Sequence, residues 1–354
     1  MKMTHISSIL KSDIHDILTD NAIPWNDFQS ATVMITGATG LIGSLLTHTL
    51  SAANSEHKLN MRLIACCRNA EKSAALSQMT KAEFITSDIR QPLPKESLPP
   101  VLNYVFHCAS ITKSSDMAAK PADVMMISAD GTRNMLETAL EKNCRSFVYL
   151  SSMEVYGKTA QPEVSESDLG YLDLSNPRSS YPESKRYCEA LCAAYAAQHG
   201  MPVKIARLAL TFGARMPNGE SDMRVANQFT SKAIANEDIE LHTPGNSIAN
   251  CCYTADAIRG LLIILLKGKT GEAYNVANPE ACATIKEMAE LVANNICKGR
   301  IKVISKIPQD IKKLGYAPDV GYTLNTSKLK ALGWTPKHSL EQMFSRMIAD
   351  RQEN

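Results

Sequence analysis

Tyr181 and Lys185 are the side chains in this sequence whose types and spacing best suit acid–base chemistry. Of the eleven tyrosines, only Tyr181 is followed by a lysine four residues later. One helical turn places both side chains on the same face, and Pro182 is tolerated in a first turn. A neighbouring ammonium favours the phenolate and is expected to lower the pKa of Tyr181, which makes the phenol a usable acid and base. The ordinary alternative is a pair on a helix surface.

A second candidate, Ser152, follows a short apolar run at residues 147–150. Active sites of open α/β sheets lie beyond the carboxyl ends of the strands. Ser152 is therefore expected to hydrogen-bond the same substrate oxygen that Tyr181 protonates and deprotonates.

A glycine pattern lies upstream, directly after an apolar run at residues 32–35. Gly37, Gly40 and Gly43 are spaced by three and open a helical segment, so the backbone can turn sharply and approach a pyrophosphate. Free N–H groups at the positive end of the helix dipole would hold that anion. A tight turn without a ligand is the alternative. The predicted dinucleotide-binding residues here are Gly37, Thr39, Gly40, Leu41, Ile42 and Gly43.

The end of the second strand indicates which dinucleotide is held. An acidic residue there normally binds the ribose of NAD, but the segment at residues 65–69 contains no carboxylate. Arg68 would pair with the 2′-phosphate of NADP, so NADP is favoured slightly over NAD, unless Arg68 is only a solvated arginine. Asp88 and Ile89, after the third strand, are candidates for holding the adenine, with an ordinary turn aspartate as the alternative.

The elements that must position these residues alternate along the chain. Short apolar runs without polar alternation suit strands that are buried on both faces of a parallel sheet. Helical segments separate them, which predicts an α/β fold with a doubly wound parallel sheet of the Rossmann type. The predicted strands are 32–35, 63–67, 83–85, 104–108, 147–150 and 203–208, and the predicted helices are 41–51, 71–79, 118–142 and 181–199.

This alternation of strands and helices covers only part of the chain. Residues 1–30 predict a helical preface that is ended by Pro24, and residues 31–211 a dinucleotide-binding domain to which the chain returns at about 251–278. After residue 212 the alternation stops, and a helix is predicted at residues 224–235. We assign residues 212–250 and 279–354 to a smaller, C-terminal substrate-binding lobe.

Composition excludes several classes of protein. The 354 residues are 44% apolar and 21% charged with a net charge of +2, which fits a folded globular chain rather than a nucleic-acid binder. The ten cysteines lack the spacing of a zinc site, and we predict free core thiols and no metal. No stretch has signal-peptide or membrane-spanning length, so a reduced, cytoplasmic location is expected.

Three segments together resemble the extended short-chain dehydrogenase/reductase family, especially its nucleotide-sugar epimerases, dehydratases and decarboxylases. They are residues 36–43, 151–157 and 181–185. Residues 107–110 resemble the strand-four segment beside the cofactor, which adds Ala109 and Ser110 to the cofactor residues. Further similarities cover almost the whole chain, at residues 131–134, 176–181 and 332–336.

The resemblance implies a role for each catalytic candidate. Tyr181 would take the proton of the sugar C4 hydroxyl while hydride leaves C4 for the nicotinamide, Lys185 would hold the ribose, and Ser152 would steady the oxygen. A 4-keto sugar results. Dehydratases of the family carry an Asp-Glu pair where this chain has Met153 and Glu154, which weakens dehydration. Glu154 is a candidate base, or a structural residue of its loop.

At two positions where the family pattern has a substrate-binding residue, this sequence has a different one. An arginine that binds the substrate phosphates is replaced by Ala249, and an asparagine three residues after Arg207 is replaced by Leu210. Arg215 or Arg224 would have to supply the missing charge, although either could be a plain surface arginine.

The leading hypothesis is an NAD(P)-dependent sugar-nucleotide epimerase or related keto-sugar enzyme serving polysaccharide or glycoconjugate synthesis. Arg68 and Ala249 favour a rival, an NADPH-dependent carbonyl reductase of the same fold. A non-catalytic dinucleotide-binding regulator is the second rival. An apolar stripe along one helix predicts a homodimer that forms through a four-helix interface. The alternative interpretation is that the stripe is buried against the protein's own sheet. The stripe consists of Tyr187, Leu191 and Tyr195, with Cys188 and Cys192.

Overall fold

The computed structural model describes residues 6–112, 114–214, 224–308 and 319–353. Its centre is a seven-stranded sheet with the order β11-β7-β5-β4-β1-β2-β3, in which every pairing is parallel. The strands of the described chain are β1 (Thr32–Thr36), β2 (Arg62–Cys67), β3 (Glu83–Thr86), β4 (Tyr104–His107), β5 (Ser146–Ser152), β6 (Glu163–Val164), β7 (Val203–Leu208), β8 (Leu210–Phe212), β9 (Ile239–Leu241), β10 (Ile248–Tyr253), β11 (Ala273–Val276), β12 (Asn278–Thr284), β13 (Val303–Ser305) and β14 (Thr323–Leu324).

The predicted Rossmann-type sheet is confirmed. All six predicted strands are present, with ends that differ by at most two residues. Five of them are largely buried because helices cover both faces of the sheet, whereas β3, near one edge, is half-exposed. β5 is longer than its apolar run because Ser146, Ser151 and Ser152 also pair with β7 or β4.

The helices connect these strands as the alternation predicts, but the helix that begins at Leu41 runs on to Glu56, five residues beyond its predicted end, and one predicted helix is divided. The predicted helix at residues 118–142 is two helices, since Pro121 lacks an N–H group and begins a new one. The helices of the described chain are α1 (Ser8–Leu18), α2 (Leu41–Glu56), α3 (Ala70–Ser77), α4 (Ser114–Ala119), α5 (Pro121–Glu141), α6 (Ser180–His199), α7 (Val225–Ala235), α8 (Thr254–Lys267), α9 (Ile285–Leu291), α10 (Ser327–Lys330) and α11 (Leu340–Glu353).

The N-terminal helix α1 packs on the main body of the protein, against α2, α8 and α11. The prediction that Pro24 ends this helix is wrong, because α1 already ends at Leu18 and Thr19 caps it. Pro24 instead precedes a short 3-10 helix, Trp25–Phe28. The buried carboxylate of Asp13 accepts hydrogen bonds from the Tyr253 hydroxyl and from Arg346, which ties α1 to the end of β10 and to α11.

Beyond β7 the chain builds a second, smaller layer. Strands β12, β10 and β8 form a mixed sheet, and two short parallel pairs, β13 with β9 and β14 with β6, flank it. The seven-residue strand β12 was not predicted. Between these parts, α8 packs on the central sheet and β11 joins its edge beside β7.

Candidate active site

The glycine turn after β1 is closely packed against the end of β4. Gly37 has a φ of 64°, and a Cβ there would lie 2.8 Å from the backbone nitrogen and Cα of Ala109. A Cβ on Gly43 would lie 2.3 Å from the Gly37 carbonyl oxygen. Gly40 caps α2 without any side-chain hydrogen bond. Only glycine fits at positions 37 and 43, and the first N–H groups of α2 are open to an anion.

A buried hydrogen-bond chain fixes the position of this turn. The Thr36 hydroxyl accepts from the backbone N–H of Ala109 at 3.3 Å and lies 2.8 Å from Nδ1 of His107. The other ring nitrogen of His107 lies 3.3 Å from the Thr132 hydroxyl of α5. Burial lowers the pKa of His107 to about 3, so the ring is neutral. His107 therefore joins β1, β4 and α5 beneath the proposed cofactor position.

At the other end of the turn, Arg68 is exposed beside the end of β2, and Lys72 of α3 lies in the same wall of the cleft. Asp88 forms a 2.6 Å ion pair with Arg90, whose hydrogen bonds lower the pKa of the aspartate. The Asp88 carboxylate thus has a partner already. The carbonyl of Ile89 accepts from Asn134 of α5 at 3.0 Å.

Lys185 is buried on α6, beside the end of β5. Its Nζ donates to the Leu150 carbonyl at 2.7 Å and lies 4.9 Å from the ring centroid of Tyr149. The distance from Nζ to the ring centroid of Tyr181 is 5.8 Å. Burial lowers the pKa of Lys185 to about 8. The predicted pair on one helix face is thus present, inside the protein rather than on its surface.

Tyr181 is 6% exposed in the first turn of α6. The expectation that its pKa is lowered is wrong, because burial raises the pKa well above the usual value for a tyrosine. The negative charge of Glu154 raises this pKa further, while a hydrogen bond with Ser152 and the positive charge of Arg178 lower it. The Tyr181 phenol therefore stays protonated unless a further positive charge comes close to it.

Arg178 is a residue of the site that the sequence analysis did not assign. Its guanidinium Nη2 lies 2.9 Å from a carboxylate oxygen of Glu154, and its guanidinium carbon 5.9 Å from the ring centroid of Tyr181. It stands three residues before Tyr181, in the 3-10 helix Pro177–Ser179. The signal that could have found it is this proximity in sequence to the catalytic tyrosine.

All predicted site residues line a single cleft of about 820 Å³ between the carboxyl ends of the strands and the smaller layer. The volume suits a dinucleotide together with part of a substrate. Arg178, Arg224, Leu210 and Ala249 line the same cleft, whereas Arg215 lies outside the described residues. The predicted residues in its wall are Gly37, Thr39, Gly40, Leu41, Ile42, Gly43, Arg68, Asp88, Ile89, Ala109, Ser110, Ser152, Glu154, Tyr181 and Lys185.

Arg207 belongs to the framework of this site. It is buried on β7, where it forms a 2.7 Å ion pair with Glu189 of α6 and donates to the Tyr156 hydroxyl at 3.0 Å. The ion pair fixes α6, which carries Tyr181 and Lys185, against the central sheet. In the described residues, no cluster of side chains suits a metal ion. No helix of the described chain has the length and apolar character needed to cross a membrane.

Comparison with known proteins agrees with this geometry. The family model for the NAD dependent epimerase/dehydratase family matches residues 33–277. UDP-glucuronic acid decarboxylase 6 of Arabidopsis thaliana is 30% identical over 329 residues, covering 91% of this chain and 90% of that protein. UDP-glucuronic acid decarboxylase 1 of Danio rerio is 29% identical and covers 89% of this chain and 71% of that protein.

Solved structures share the fold. An epimerase from Methanothermobacter thermautotrophicus has a TM-score of 0.77 at 21% identity, covering 99% of this chain and 97% of that chain. UDP-glucuronic acid 4-epimerase from Bacillus cereus, in complex with UDP-glucuronic acid and NAD, has a TM-score of 0.72 at 21% identity and covers 91% and 100%.

The parallel sheet and the glycine turn facing a tyrosine, lysine and serine define a class of enzymes that work with a nicotinamide dinucleotide. Within that class, the chain belongs to the NAD-dependent epimerase/dehydratase family, as the match to most of its length shows. The predicted membership of this branch of the extended short-chain dehydrogenases/reductases is confirmed.

Proposed function

We propose that this protein oxidises the C4 hydroxyl of a nucleotide-linked sugar to a transient 4-keto sugar, with Tyr181 as the acid and base. The observation that carries this proposal is the convergence of Tyr181, Lys185 and Ser152 with the glycine turn on one cleft. The similar proteins support it, because they include UDP-glucuronic acid decarboxylases and share their fold with a dTDP-glucose 4,6-dehydratase.

The residues of the chain move one proton at one oxygen. Tyr181 takes the proton of the C4 hydroxyl and returns it at the end of the cycle, and Ser152 holds that oxygen by a hydrogen bond. Lys185 would hold the ribose next to the nicotinamide. Tyr181 can act as a base only after its own proton has left, and the ammonium of Lys185 together with the positive charge of a bound oxidised nicotinamide would favour that phenolate against the effect of burial. A bound nicotinamide dinucleotide supplies the hydride acceptor and donor. The enclosed position of Tyr181 keeps water away from the keto sugar.

Glu154 is the candidate for the step that follows oxidation. The Glu154 carboxylate forms an ion pair with Arg178, which lies beside the Tyr181 ring. The Glu154 side chain therefore stabilises its own loop and also lines the cleft. A base in this place suits proton transfer at the carbon next to the ketone. Met153 occupies the position where dehydratases of the family carry an aspartate, which favours epimerisation or decarboxylation over dehydration.

For the cofactor we propose NADP over NAD. The support is the pair of cations, Arg68 and Lys72, in the wall at the end of β2, where no carboxylate stands to bind a free 2′-hydroxyl. An arginine fork suits a phosphate. The adenine would lie against Ile89, beyond the Asp88 and Arg90 ion pair.

For the assembly we propose a homodimer in the cytoplasm. The support for a dimer is the exposed face of α5 and α6, where Tyr187 and Met126 are each 53% exposed. Cys188 and Cys192 are not part of that face, since they are buried against the protein's own sheet. The support for a reducing compartment is that all ten cysteines are free, eight of them buried. Residues 212–250 and 279–354 would form the substrate-binding lobe.

The test is turnover of a panel of UDP-, dTDP-, GDP- and CDP-sugars, with products followed by mass and NMR and the cofactor by absorbance. We expect a new sugar isomer or a loss of mass without net change in the cofactor, and a loss of at least about 100-fold in rate for Tyr181→Phe. Steady consumption of NADPH with simple ketones, and no turnover of any sugar nucleotide, would favour the carbonyl reductase instead.

A further inference from the structure

An ion pair between Arg178 and Glu154 lies directly beside the proposed acid and base, Tyr181. The guanidinium Nη2 of Arg178 lies 3.0 and 2.9 Å from the two carboxylate oxygens of Glu154. The guanidinium carbon is 5.9 Å from the ring centroid of Tyr181, and all three side chains line the cleft. Because Tyr181 is buried and water is largely excluded around it, charges this close act strongly on its hydroxyl.

The local fold holds both partners of the ion pair in place. The Asn176 side chain accepts a hydrogen bond from the Arg178 backbone N–H at 3.0 Å. On the other side, the Ser152 hydroxyl accepts from the Glu154 backbone N–H at 3.2 Å. Each partner stands in a short 3-10 helix whose first turn is fixed by one of these hydrogen bonds. The pair is therefore set by the backbone and not by two mobile side chains that meet at a surface.

The charge of Arg178 is directed at Glu154. The Arg178 side chain is 12% exposed, and its Nε and Nη1 atoms have almost no exposed surface, so a ligand in the cleft does not reach them. Among the described residues, Glu154 is the carboxylate that lies within ion-pair distance of Arg178. Arg178 is therefore placed to influence the reaction through Glu154 and through its own positive charge beside Tyr181.

We propose that Arg178 is a positioning residue that screens Tyr181 from Glu154. The ion pair fixes the Glu154 carboxylate at the edge of the site and cancels its charge, so that Tyr181 can give up its proton next to an ionised carboxylate. This inference rests on the proposed function, in which Tyr181 and Glu154 act in consecutive steps. A carboxylate without a partner at this place would oppose the phenolate, because two negative charges repel strongly where water is excluded.

The charges around Tyr181 agree with this role. Burial raises the pKa of Tyr181, the charge of Glu154 raises it further, and the charge of Arg178 lowers it. From the side of α4 and α5, the apolar residues Met117 and Val124 pack on the phenol. The other titratable groups on this side of the cleft are Lys185 of α6, Tyr149 of β5 and Asp116 of α4. Substitutions at positions 154 and 178 leave those three groups in place, so the ion pair can be tested alone.

The ionisation of Tyr181 tests the inference without any substrate. The full-length protein is labelled with 3-fluorotyrosine and saturated with the oxidised dinucleotide, and the fluorine resonance of Tyr181 is assigned as the one that is missing from Tyr181→Phe. Its chemical shift is followed from about pH 6 to 10. In Arg178→Gln the midpoint should be about one pH unit higher than in the wild type, because the charge of Glu154 is no longer cancelled.

Further variants separate the effect of charge from a loss of structure. Glu154→Gln should lower the midpoint by about one pH unit, since only the positive partner remains. The double variant Glu154→Gln/Arg178→Gln carries neither charge, and its midpoint should return close to that of the wild type. Arg178→Lys keeps the positive charge and should remain close to the wild type. Arg186→Gln is the matched control: Arg186 pairs with Glu183 on α6 at 3.3 Å and is not among the residues that line the cleft, so the midpoint should not change.

The pH dependence of the oxidation step is the second readout. The phenolate of Tyr181 accepts the C4 proton, so the reactive form is present above the pKa of Tyr181 and is lost as the pH falls below it. The rate at which reduced cofactor forms in a single turnover should therefore be about 10-fold lower in Arg178→Gln at neutral pH, and the difference should shrink as the pH rises. A structural defect would lower the rate at every pH.

The outcomes that overturn the inference concern the midpoints. Equal midpoints in the wild type and Arg178→Gln overturn it, and so does a Tyr181 that titrates in none of the proteins below about pH 10. A double variant whose midpoint stays at that of Arg178→Gln also overturns it, because removal of Glu154 then has no effect. Failure of every nucleotide sugar to turn over counts against the proposed function instead, and the midpoints still decide the role of Arg178.

Discussion

At the scale of single residues, Lys185 raises the question of how a buried ammonium keeps its proton. Among the described residues, Nζ of Lys185 donates one hydrogen bond, to the Leu150 carbonyl, and the ring centroid of Tyr149 lies 4.9 Å away. The electron-rich face of an aromatic ring attracts a cation, and the attraction is stronger away from water. The titratable groups that face Lys185 are His107 and Cys108 of the β4 region, Tyr149 of β5, and Tyr181, Cys188, Glu189 and Cys192 of α6.

Tyr149→Leu removes that ring and is expected to shift the pH dependence of cofactor binding. The pKa of Lys185 is already lowered to about 8, so its ammonium is present below that pH and is lost as the pH rises through it. Without the ring the pKa of Lys185 falls further. The pH at which the protein loses affinity for the oxidised cofactor should therefore be about one pH unit lower than in the wild type. Fluorescence titrations of cofactor binding from pH 6 to 10 measure this shift. Tyr149→Phe keeps the ring and should match the wild type; equal curves for all three proteins would contradict the role of the ring.

Arg68→Ala tests the choice of cofactor. If Arg68 pairs with the 2′-phosphate, the variant should lose about tenfold or more in affinity for NADP and keep its affinity for NAD, because only NADP carries that phosphate. Dissociation constants of both cofactors, measured by calorimetry, decide the matter. The same loss for both cofactors would place Arg68 on the shared part of the dinucleotide, and no loss would mean that it is a solvated arginine.

The sequence predicts residues of the site when the signal is local, and fails when the signal depends on burial. Gly37, Gly43 and the Tyr181–Lys185 spacing are short patterns with a direct geometric meaning, and all of them line the cleft. The raised pKa of Tyr181 follows from desolvation by segments that are distant along the chain. The partner of Arg178, Glu154, stands 24 residues away, so the pair forms only when the segment after β5 and the segment before α6 meet.

At the scale of elements, apolar runs predict the strands of a parallel sheet well, because most of these strands are buried on both faces and most of their residues are therefore apolar. The same reasoning misses β12, whose buried and exposed residues do not form such a run. It also joins α4 and α5, since the helical periodicity continues through Pro121 although the backbone hydrogen bonds do not. Apolar pattern therefore locates elements more reliably than it locates their ends.

Docking of α1 gives a prediction at this scale. The Asp13 carboxylate is fully buried and accepts hydrogen bonds from Tyr253 and Arg346, so α1 depends on one charge-paired contact as well as its apolar face. Asp13→Ala leaves Arg346 without that partner and should lower the free energy of unfolding by about 3 kcal/mol. Asp16→Ala, one turn away and half-exposed, should change it by less than about 0.5 kcal/mol. Urea unfolding measures both; similar effects would show that the buried ion pair adds nothing to docking.

At the scale of the whole molecule, the two walls of the cleft differ in how far they could be predicted. The wall of cofactor residues follows from the carboxyl ends of parallel strands, which any doubly wound sheet brings to one edge. The opposite wall is assembled from segments around Arg224, His242 and Ala249. These segments meet only through the packing of β8, β10 and β12, and no local pattern specifies that arrangement.

The exposed face of α5 and α6 gives the prediction for the assembly. An aromatic residue that is 53% exposed on a helix, as Tyr187 is, becomes buried if a second copy packs there to form four helices. Tyr187→Glu would place a charge in that interface and is expected to weaken dimerisation about 100-fold, measured by analytical ultracentrifugation over a range of concentrations. Tyr171→Glu is the control, since Tyr171 is 67% exposed but lies on the loop before α6. A dimer that survives Tyr187→Glu and is lost in Tyr171→Glu would move the interface to that loop, and a monomeric wild type would contradict the dimer itself.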